Sequence, residues 1–357
     1  MEKTKVLIAG AGPAGSTCGL LLRKKGVDCM LVDRAAFPRD KICGGGLTPR
    51  SYRLLQRLLP EFAYDYNTVH RLQLMIEGDS VLDFRMGSEL RIVRRRDFDA
   101  RLLEAYRQSG GVFINEALMK VEEADGHIVV TLKSGRQVAC DYLVGADGAN
   151  SRVRRYLNPN SSHGILCMEQ YAPIAAGGTD KDGQQTGGSR TEDGQKTERP
   201  VVGNLSRRYR QGYYYSFPNA SADVQGFGDL VTTPDSYRRV LDEMGCADLK
   251  ALGAYIPQSI DYPLRDRIIL IGDAGGFPNR LTFEGLYYAF LTAANAAEAI
   301  ASGRSFALVN KKVFANKKKE ERAARLFYSD TGLTLLRLLC KGCPSLVVWL
   351  FNKASEK

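Results

Sequence analysis

Histidine and tryptophan are scarce in this chain of 357 residues: there are three histidines, His70, His127 and His163, and one tryptophan, Trp349. No two histidines are close in sequence, which argues against a zinc hydrolase built on clustered imidazoles. The eight cysteines, at 18, 29, 43, 140, 167, 246, 340 and 343, have no disulfide-framework spacing. No signal peptide precedes the first strand, so free thiols in a reducing, cytoplasmic compartment are expected. No uncharged apolar run reaches about 18 residues, and no spanning helix is expected. No internal repeat is visible. Acids are outnumbered, 40 against 50 Lys and Arg, for a net charge of +10. Such a surplus suits phosphates or an anionic membrane face, and equally a merely basic surface. No nucleic-acid partner is expected, and the oligomeric state is not legible.

Apolar residues make up 44% and charged residues 25%, ordinary values for a globular protein long enough for two domains. "KVLIAGAGPAGSTCGLLLRKKG" is a buried strand, a glycine turn and a helix. The turn carries Gly10-x-Gly12-x-Ala14-Gly15. Gly10 permits the tight turn, Gly12 lets the backbone approach a pyrophosphate, and Gly15 lets helix and strand pack closely. The helix N-terminus directs amides and partial positive charge at phosphate. Asp33 ends the second strand, where a carboxylate holds ribose hydroxyls, and Arg34 follows where such folds turn outward. The other reading of Asp33 is a cap or a surface acid.

Two further strands end in an aspartate. "DYLVGADGANSRVRRYL" places Asp147 and Gly148 at a strand end. "IILIGDAGGFPNRLTFEG" places Asp273 at another and starts a helix near Glu284 and Gly285. Open α/β sheets bind ligands at this edge. Asp273 suits a polyol, and the amides near Gly285 suit a carbonyl that gains negative charge. Taken singly, each Gly-Asp is a commonplace turn.

Together these motifs resemble the FAD-dependent monooxygenases and reductases, which carry one Rossmann domain for FAD and no separate nicotinamide domain. "FPRDKICGGGLTPR" is similar to the Arg-x-Lys-x-Cys-Gly-Gly-Gly-Leu stretch of the geranylgeranyl reductase family, matched by Arg39, Lys41, Cys43, Gly44, Gly45, Gly46 and Leu47. The family's Tyr-x-Trp-x-Phe-Pro stretch, which lines an isoprenoid tunnel, is matched by Tyr213, Phe217 and Pro218, with Tyr215 in place of tryptophan. Its Leu-Thr-Gly-Glu-Gly motif reads "LTFEG", with Phe283 in place of a glycine beside the flavin. "VRRRDFDARL" matches Arg-x-x-Phe-Asp and implies an FAD contact near the pyrophosphate for Arg95, with Arg96 the neighbouring alternative. The resemblance implies cofactor contacts for Arg39, Cys43, Gly44 and Gly45, and a cysteine at 43 that faces the flavin. A free cysteine there is otherwise a small hydrophobe. Cys340-x-x-Cys343 lacks a partner pair and is a weak redox or metal signal.

The expected fold is α/β. A discontinuous Rossmann-type FAD-binding domain (1–66, 90–157, 260–303) would join a smaller antiparallel-sheet substrate domain (67–89, 158–259) and a helical C-terminus (304–357). Residues 176–200 contain no large apolar side chain and should form a loop. The implied activity is reduction of carbon–carbon double bonds in an isoprenoid or other apolar substrate, with NAD(P)H or another external reductant as donor. The substrate residues would be Tyr213, Tyr215, Phe217, Pro218 and Phe283. A flavin monooxygenase shares the FAD motifs. The halogenase branch that carries Trp-x-Trp-x-Ile-Pro is disfavoured, since Trp349 stands alone near the end. A non-catalytic flavin-binding module is the third reading. The cations of "NKKVFANKKKEERAARLF" and the broken apolar stretch after them suit peripheral contact with a membrane, or a helix packed over the substrate channel.

Overall fold

The computed structural model describes residues 1–124, 126–174, 198–219 and 222–356. In chain order the first part runs β1 (Glu2–Ala9), α1 (Pro13–Lys24), β2 (Cys29–Val32), β3 (Gly46–Leu47), α2 (Pro49–Leu58), β4 (Asn67–Ile76), β5 (Asp79–Ile92) and α3 (Arg95–Gln108). It continues with β6 (Val112–Ile114), β7 (Leu118–Ala124), β8 (His127–Leu132), β9 (Gln137–Gly145), α4 (Arg152–Leu157), β10 (Ile165–Pro173), β11 (Val201–Leu205), β12 (Tyr213–Phe217), β13 (Ala222–Asp229) and α5 (Pro234–Glu243). The last part holds β14 (Leu252–Ile256), β15 (Ile268–Leu270), a 3-10 turn (Gly272–Gly275), α6 (Leu286–Ser302), α7 (Phe306–Val309), α8 (Lys311–Phe327), α9 (Asp330–Gly342) and α10 (Pro344–Glu356).

The first sheet has the order β6-β2-β1-β9-β8-β7, and β15 also pairs with β9. Its pairings β6-β2, β2-β1, β1-β9 and β9-β15 are parallel, whereas β7, β8 and the first half of β9 form an antiparallel meander. Val6, Leu7 and Ile8 are consecutive and fully buried, as in a central strand covered on both faces. α1 and α6 cover one face, and Gly303 closes α6 with φ +68°, the left-handed stop expected of a glycine there.

The second sheet has the order β14-β10-β13-β12-β11-β4-β5-β3. Its members β3 and the end of β5 lie inside segments assigned from sequence to the cofactor part. The outer face packs Tyr214 and Phe227 against Tyr237, Val240 and Leu241 of α5. The inner face looks toward the loops that follow β2 and β15. Strands β10, β11 and β14 were not anticipated. Most of the expected loop, 176–197, lies outside the described residues. At its far end Glu198 accepts from the His70 amide, and Arg199 pairs with Asp223.

Among the described residues no single helix is long and apolar enough to cross a membrane. α9 and α10 together meet that length and composition but are bent by 116°. α10 rests on β5 through Phe351 against Phe84 and Asn352 against Gly87.

A methyl group at Gly15 would stand 1.8 Å from the Gly10 carbonyl oxygen, a main-chain atom that cannot swing away. Gly15→Ala should therefore cost at least the roughly 1–3 kcal/mol typical of over-packing. Gly342→Ala is the control, because nothing lies within 4 Å of its added carbon. Urea unfolding midpoints compare the two; equal midpoints would refute the close crossing.

Candidate active site

The glycine turn is built as its spacing predicts. Gly10 has φ +103°, and a side chain there would overlap Ala146 on β9's exit. Ala14 is small because Gly272 sits against it, a Cβ at 272 falling 2.9 Å from the Ala14 methyl. Asp33 accepts from the Ala11 and Ala35 amides, both at 2.8 Å, and so ties the turn to the end of β2. Arg34 is exposed. The nearest atom to an added Gly12 carbon is Arg39 Nη2 at 3.5 Å, so a cation stands beside the open face of the turn.

Arg39 leads to a buried anion. Asp99, fully buried, accepts from Arg95 Nε at 2.8 Å and Nη2 at 2.9 Å, and from the Arg39 side at 3.2 Å. Burial alone would lower the Arg95 pKa, but Asp99 and the Cys43 thiol oppose it, and the net shift is upward. Arg95 is thus locked between Asp99 and Cys43, whereas Arg96 reaches outward to Asp40 at 3.5 Å. The Cys43 sulfur accepts from the Gly45 amide at 3.4 Å. Gly45 has φ +72°, and an added side chain would strike the Val93 carbonyl at 2.1 Å. Gly44 lies against the Phe217 ring, with room for hydrogen only.

At the end of β9, Asp147 accepts from the Arg152 amide at 2.7 Å and caps α4, and its other carboxylate oxygen is buried without a partner among the described residues. Burial raises its pKa against the pull of these donors. Gly148 follows with φ +76°. Arg154 is 2% exposed and donates to the Ala149 carbonyl at 2.6 Å, while its Nε and Nη1 are unpaired. At the end of β15, Asp273 Oδ1 lies 3.2 Å from where a Gly285 Cβ would stand, at the start of α6.

The loop between the 3-10 turn and α6 is held through its main chain. Lys317 of α8 donates to the Pro278 carbonyl at 2.5 Å, Tyr328 to that of Leu281 at 2.6 Å and Tyr213 to that of Thr282 at 2.5 Å. Glu284 spends its carboxylate on Thr48, Ser51 (2.6 Å) and Arg50 (Nε 2.9 Å), joining this loop to the start of α2. Phe283 has φ +55°, a left-handed conformation natural to the glycine it replaces, and its ring stacks on Tyr213 at 4.8 Å.

Tyr213, Tyr215 and Phe217 line one face of β12, with centroid spacings of 5.8 and 5.4 Å, and the chain leaves the strand through buried Pro218. Opposite them on β13 stand Gly228, Gly226 and Val224, and beyond these on β10 stand Cys167, Glu169 and Tyr171. The Tyr215 ring lies across Gly226, and its hydroxyl donates to Glu169 and meets the Cys167 sulfur at 3.1 Å. That hydroxyl is therefore engaged inside the sheet face.

Residues 3–171 match the FAD binding domain family. The chain is 28% identical over 330 residues to menaquinone reductase of Mycobacterium tuberculosis, covering 84% of this chain and 77% of that one. It is 25% identical over 333 residues to the chloroplastic geranylgeranyl diphosphate reductase of Arabidopsis thaliana, covering 85% and 66% respectively. The structure of a geranylgeranyl bacteriochlorophyll reductase-like protein from Thermoplasma acidophilum superposes with a TM-score of 0.70 at 16% identity, over 100% of this chain and 92% of that one. The halogenase PltM shares the fold at TM-score 0.69 and 17% identity, over 98% and 86%. Residues 3–171 thus carry an FAD binding domain, and the chain as a whole is similar to geranylgeranyl-reductase-like FAD-dependent oxidoreductases.

The residues of the flavoprotein fit FAD. The amide-lined turn is open at Gly12 beside a cation, the Asp33 oxygens keep lone pairs for ribose, and Asp147 and Arg154 hold unpaired polar atoms at the carboxyl edge of the sheet. Gly10 to Gly15, Asp33, Arg39 and Asp273 would hold the cofactor. Sequence reasoning missed Asp99, Arg50, Lys317, Cys167 and Glu169. The only marker for Glu169 is a lone acid in "ILCMEQYAP", in phase with Cys167 and Tyr171.

Truncating Asp99 would leave two arginines facing a void. Asp99→Ala should cost about 3–5 kcal/mol, the usual penalty for breaking a buried pair from one side. Urea unfolding of the FAD-loaded protein measures it, and a loss below about 1 kcal/mol would show the pair to be solvated.

Proposed function

We propose that the flavoprotein reduces carbon–carbon double bonds of an isoprenoid or similar apolar substrate. The observation that carries this is the inner face of the second sheet: Tyr213, Tyr215, Phe217 and Phe283 form one aromatic surface, the Tyr215 ring lying over Gly226 and the Phe283 ring beside Gly228. Such a face suits a polyene better than a small polar molecule. The names of the mycobacterial and plant relatives support it. Bound FAD would supply hydride, drawn in turn from NAD(P)H or another external two-electron reductant. The chain's own part is to hold the cofactor at the glycine turn, orient the alkene on the aromatic wall and exclude water. Cys43 and Gly44 close the wall beside Phe217 and bring a thiol to the substrate side.

Purified protein should be yellow and release FAD on denaturation. Anaerobic incubation with NADPH or dithionite and a long prenyl diphosphate or prenyl quinone should give products heavier by two hydrogens per bond reduced. Reductant-dependent oxygen consumption that inserts oxygen into the substrate would instead establish a monooxygenase.

An apolar substrate must be collected, and the C-terminal helices suit that task. On α9 and α10, Leu335, Leu338, Leu346, Trp349 and Leu350 are about half exposed or more, and Lys353 sits over the Trp349 ring at 4.4 Å. α8 adds Lys311, Lys312, Lys318 and Lys319, all exposed or half-buried. Exposed leucine, tryptophan and lysine on these helices suit a helix pair lying on an anionic bilayer. The protein should cosediment with phosphatidylserine-containing vesicles and less with neutral ones, and Trp349→Ser with Leu350→Ser should abolish that binding without changing FAD content. Equal binding by the double variant would remove the anchor from these helices.

A further inference from the structure

Glu169 is an acid on the inner face of the sheet, placed in register with Gly226 and then Tyr215. It is 4% exposed. One carboxylate oxygen accepts from Tyr215, and the other is buried with no hydrogen-bond partner among the described residues. It lies where three site elements meet. Tyr215 belongs to the aromatic wall, Lys41, Cys43 and the Gly44 amide belong to the loop after β2, and Arg95 belongs to α3. Tyr171 flanks it on β10, Tyr237 approaches from α5 behind the sheet, and Tyr213 stands along the wall.

A buried acid that needed only to be neutralised would be paired on both oxygens. Arg95 is instead committed to Asp99, and no cation closes on the free oxygen. From this placement we infer that Glu169, in its protonated form, is the proton donor that completes reduction of the double bond. The inference rests on the proposed function. Hydride adds to one alkene carbon. The O–H bond of the Glu169 carboxyl breaks, and its proton forms the new C–H bond at the other carbon, so the π bond is replaced by two C–H bonds. The carboxylate left behind is stabilised by the Tyr215 hydroxyl and regains a proton from water. The route is short: Tyr171, two residues along, is 43% exposed and lines a surface groove with Leu252, the register partner of Glu169.

The other groups cannot take this role as readily. Burial pushes Cys167 and Tyr215 far up, where they hold their protons at neutral pH. Glu169 is pushed by burial from about 4.5 to about 7, although the Tyr215 hydroxyl, Lys41, Arg95 and the Gly44 amide favour its ionised form. It can therefore both give and regain a proton near neutrality.

The test is Glu169→Gln on the FAD-loaded protein, since Gln keeps the shape and can still accept from Tyr215. Three readouts apply. Infrared titration of the wild type should show a carboxylic-acid band that is lost with a midpoint near pH 7 and is missing in E169Q. A raised carboxyl pKa gives stability that is complete below about 4.5 and lost as pH rises through about 7. The melting temperature of E169Q minus that of wild type should therefore climb across that window and level off above it. Third, prenyl turnover should fall about 100-fold or more in E169Q, as for loss of a general acid, while flavin reduction by the external donor is unchanged. Wild-type turnover in E169Q, or a band that persists in it, overturns the inference. A wild type that shows the band but reduces no prenyl double bond overturns the proposed function, and the donor role falls with it.

Discussion

The site is organised around one buried charge. Asp99 is inaccessible to water, so its carboxylate is tolerable only because two guanidiniums converge on it. Each of those arginines then does a second thing by position alone. Arg39 stands at the open side of the glycine turn, and Arg95 is fixed against Cys43 in the next loop. One carboxylate on α3 thus sets the places of a cation beside the glycine turn and of a thiol in the next loop, on a stretch after β2 that has almost no regular structure of its own. Neutralising the anion would release both.

The inner face of the second sheet is shaped by what is missing from it. Gly226 and Gly228 contribute no side chain, so the Tyr215 ring can cross the neighbouring strand and reach Glu169 and Cys167 two strands away. With any larger residue at 226 the ring would stand up from the sheet and the acid would lose its donor. The same absence leaves an apolar floor beside the aromatic wall. The opposite face of the same strands is filled conventionally by α5. One set of strands thus carries a helix-packed core on one side and an aromatic face on the other.

The parts of this protein that were legible in sequence are those in which a single residue type answers to a single backbone demand. Gly10 and Gly15 are required by close main-chain approach, Gly303 by a helix stop, and Val6 to Ile8 by burial on both faces. The alternation of Tyr213, Tyr215 and Phe217 on one face followed from the period of a strand. What escaped was pairing across the fold. Nothing local marks Asp99 as the partner of Arg39, sixty residues earlier, or Glu284 as the partner of Arg50. Strand β10 was missed for a similar reason. Its inward residues, Cys167, Glu169 and Tyr171, are polar or ambivalent, and so the hydrophobic alternation that signals a strand is blurred.

Three backbone carbonyls of the loop from Pro278 to Gly285 are gripped by side chains from elsewhere. Its course is therefore fixed largely through its main chain by Lys317, Tyr328 and Tyr213, with Asn279 and Glu284 the side chains of its own that add to the hold. Away from those two positions such a loop is free to change sequence while keeping its path. That freedom accounts for a phenylalanine in a left-handed conformation at 283: the main chain is held from outside, so a residue with a poor local preference can be accommodated and its ring put to use against Tyr213. Divergence among relatives should then concentrate in this loop's side chains and spare the residues that grip it, so that substrate preference can drift without rebuilding the fold.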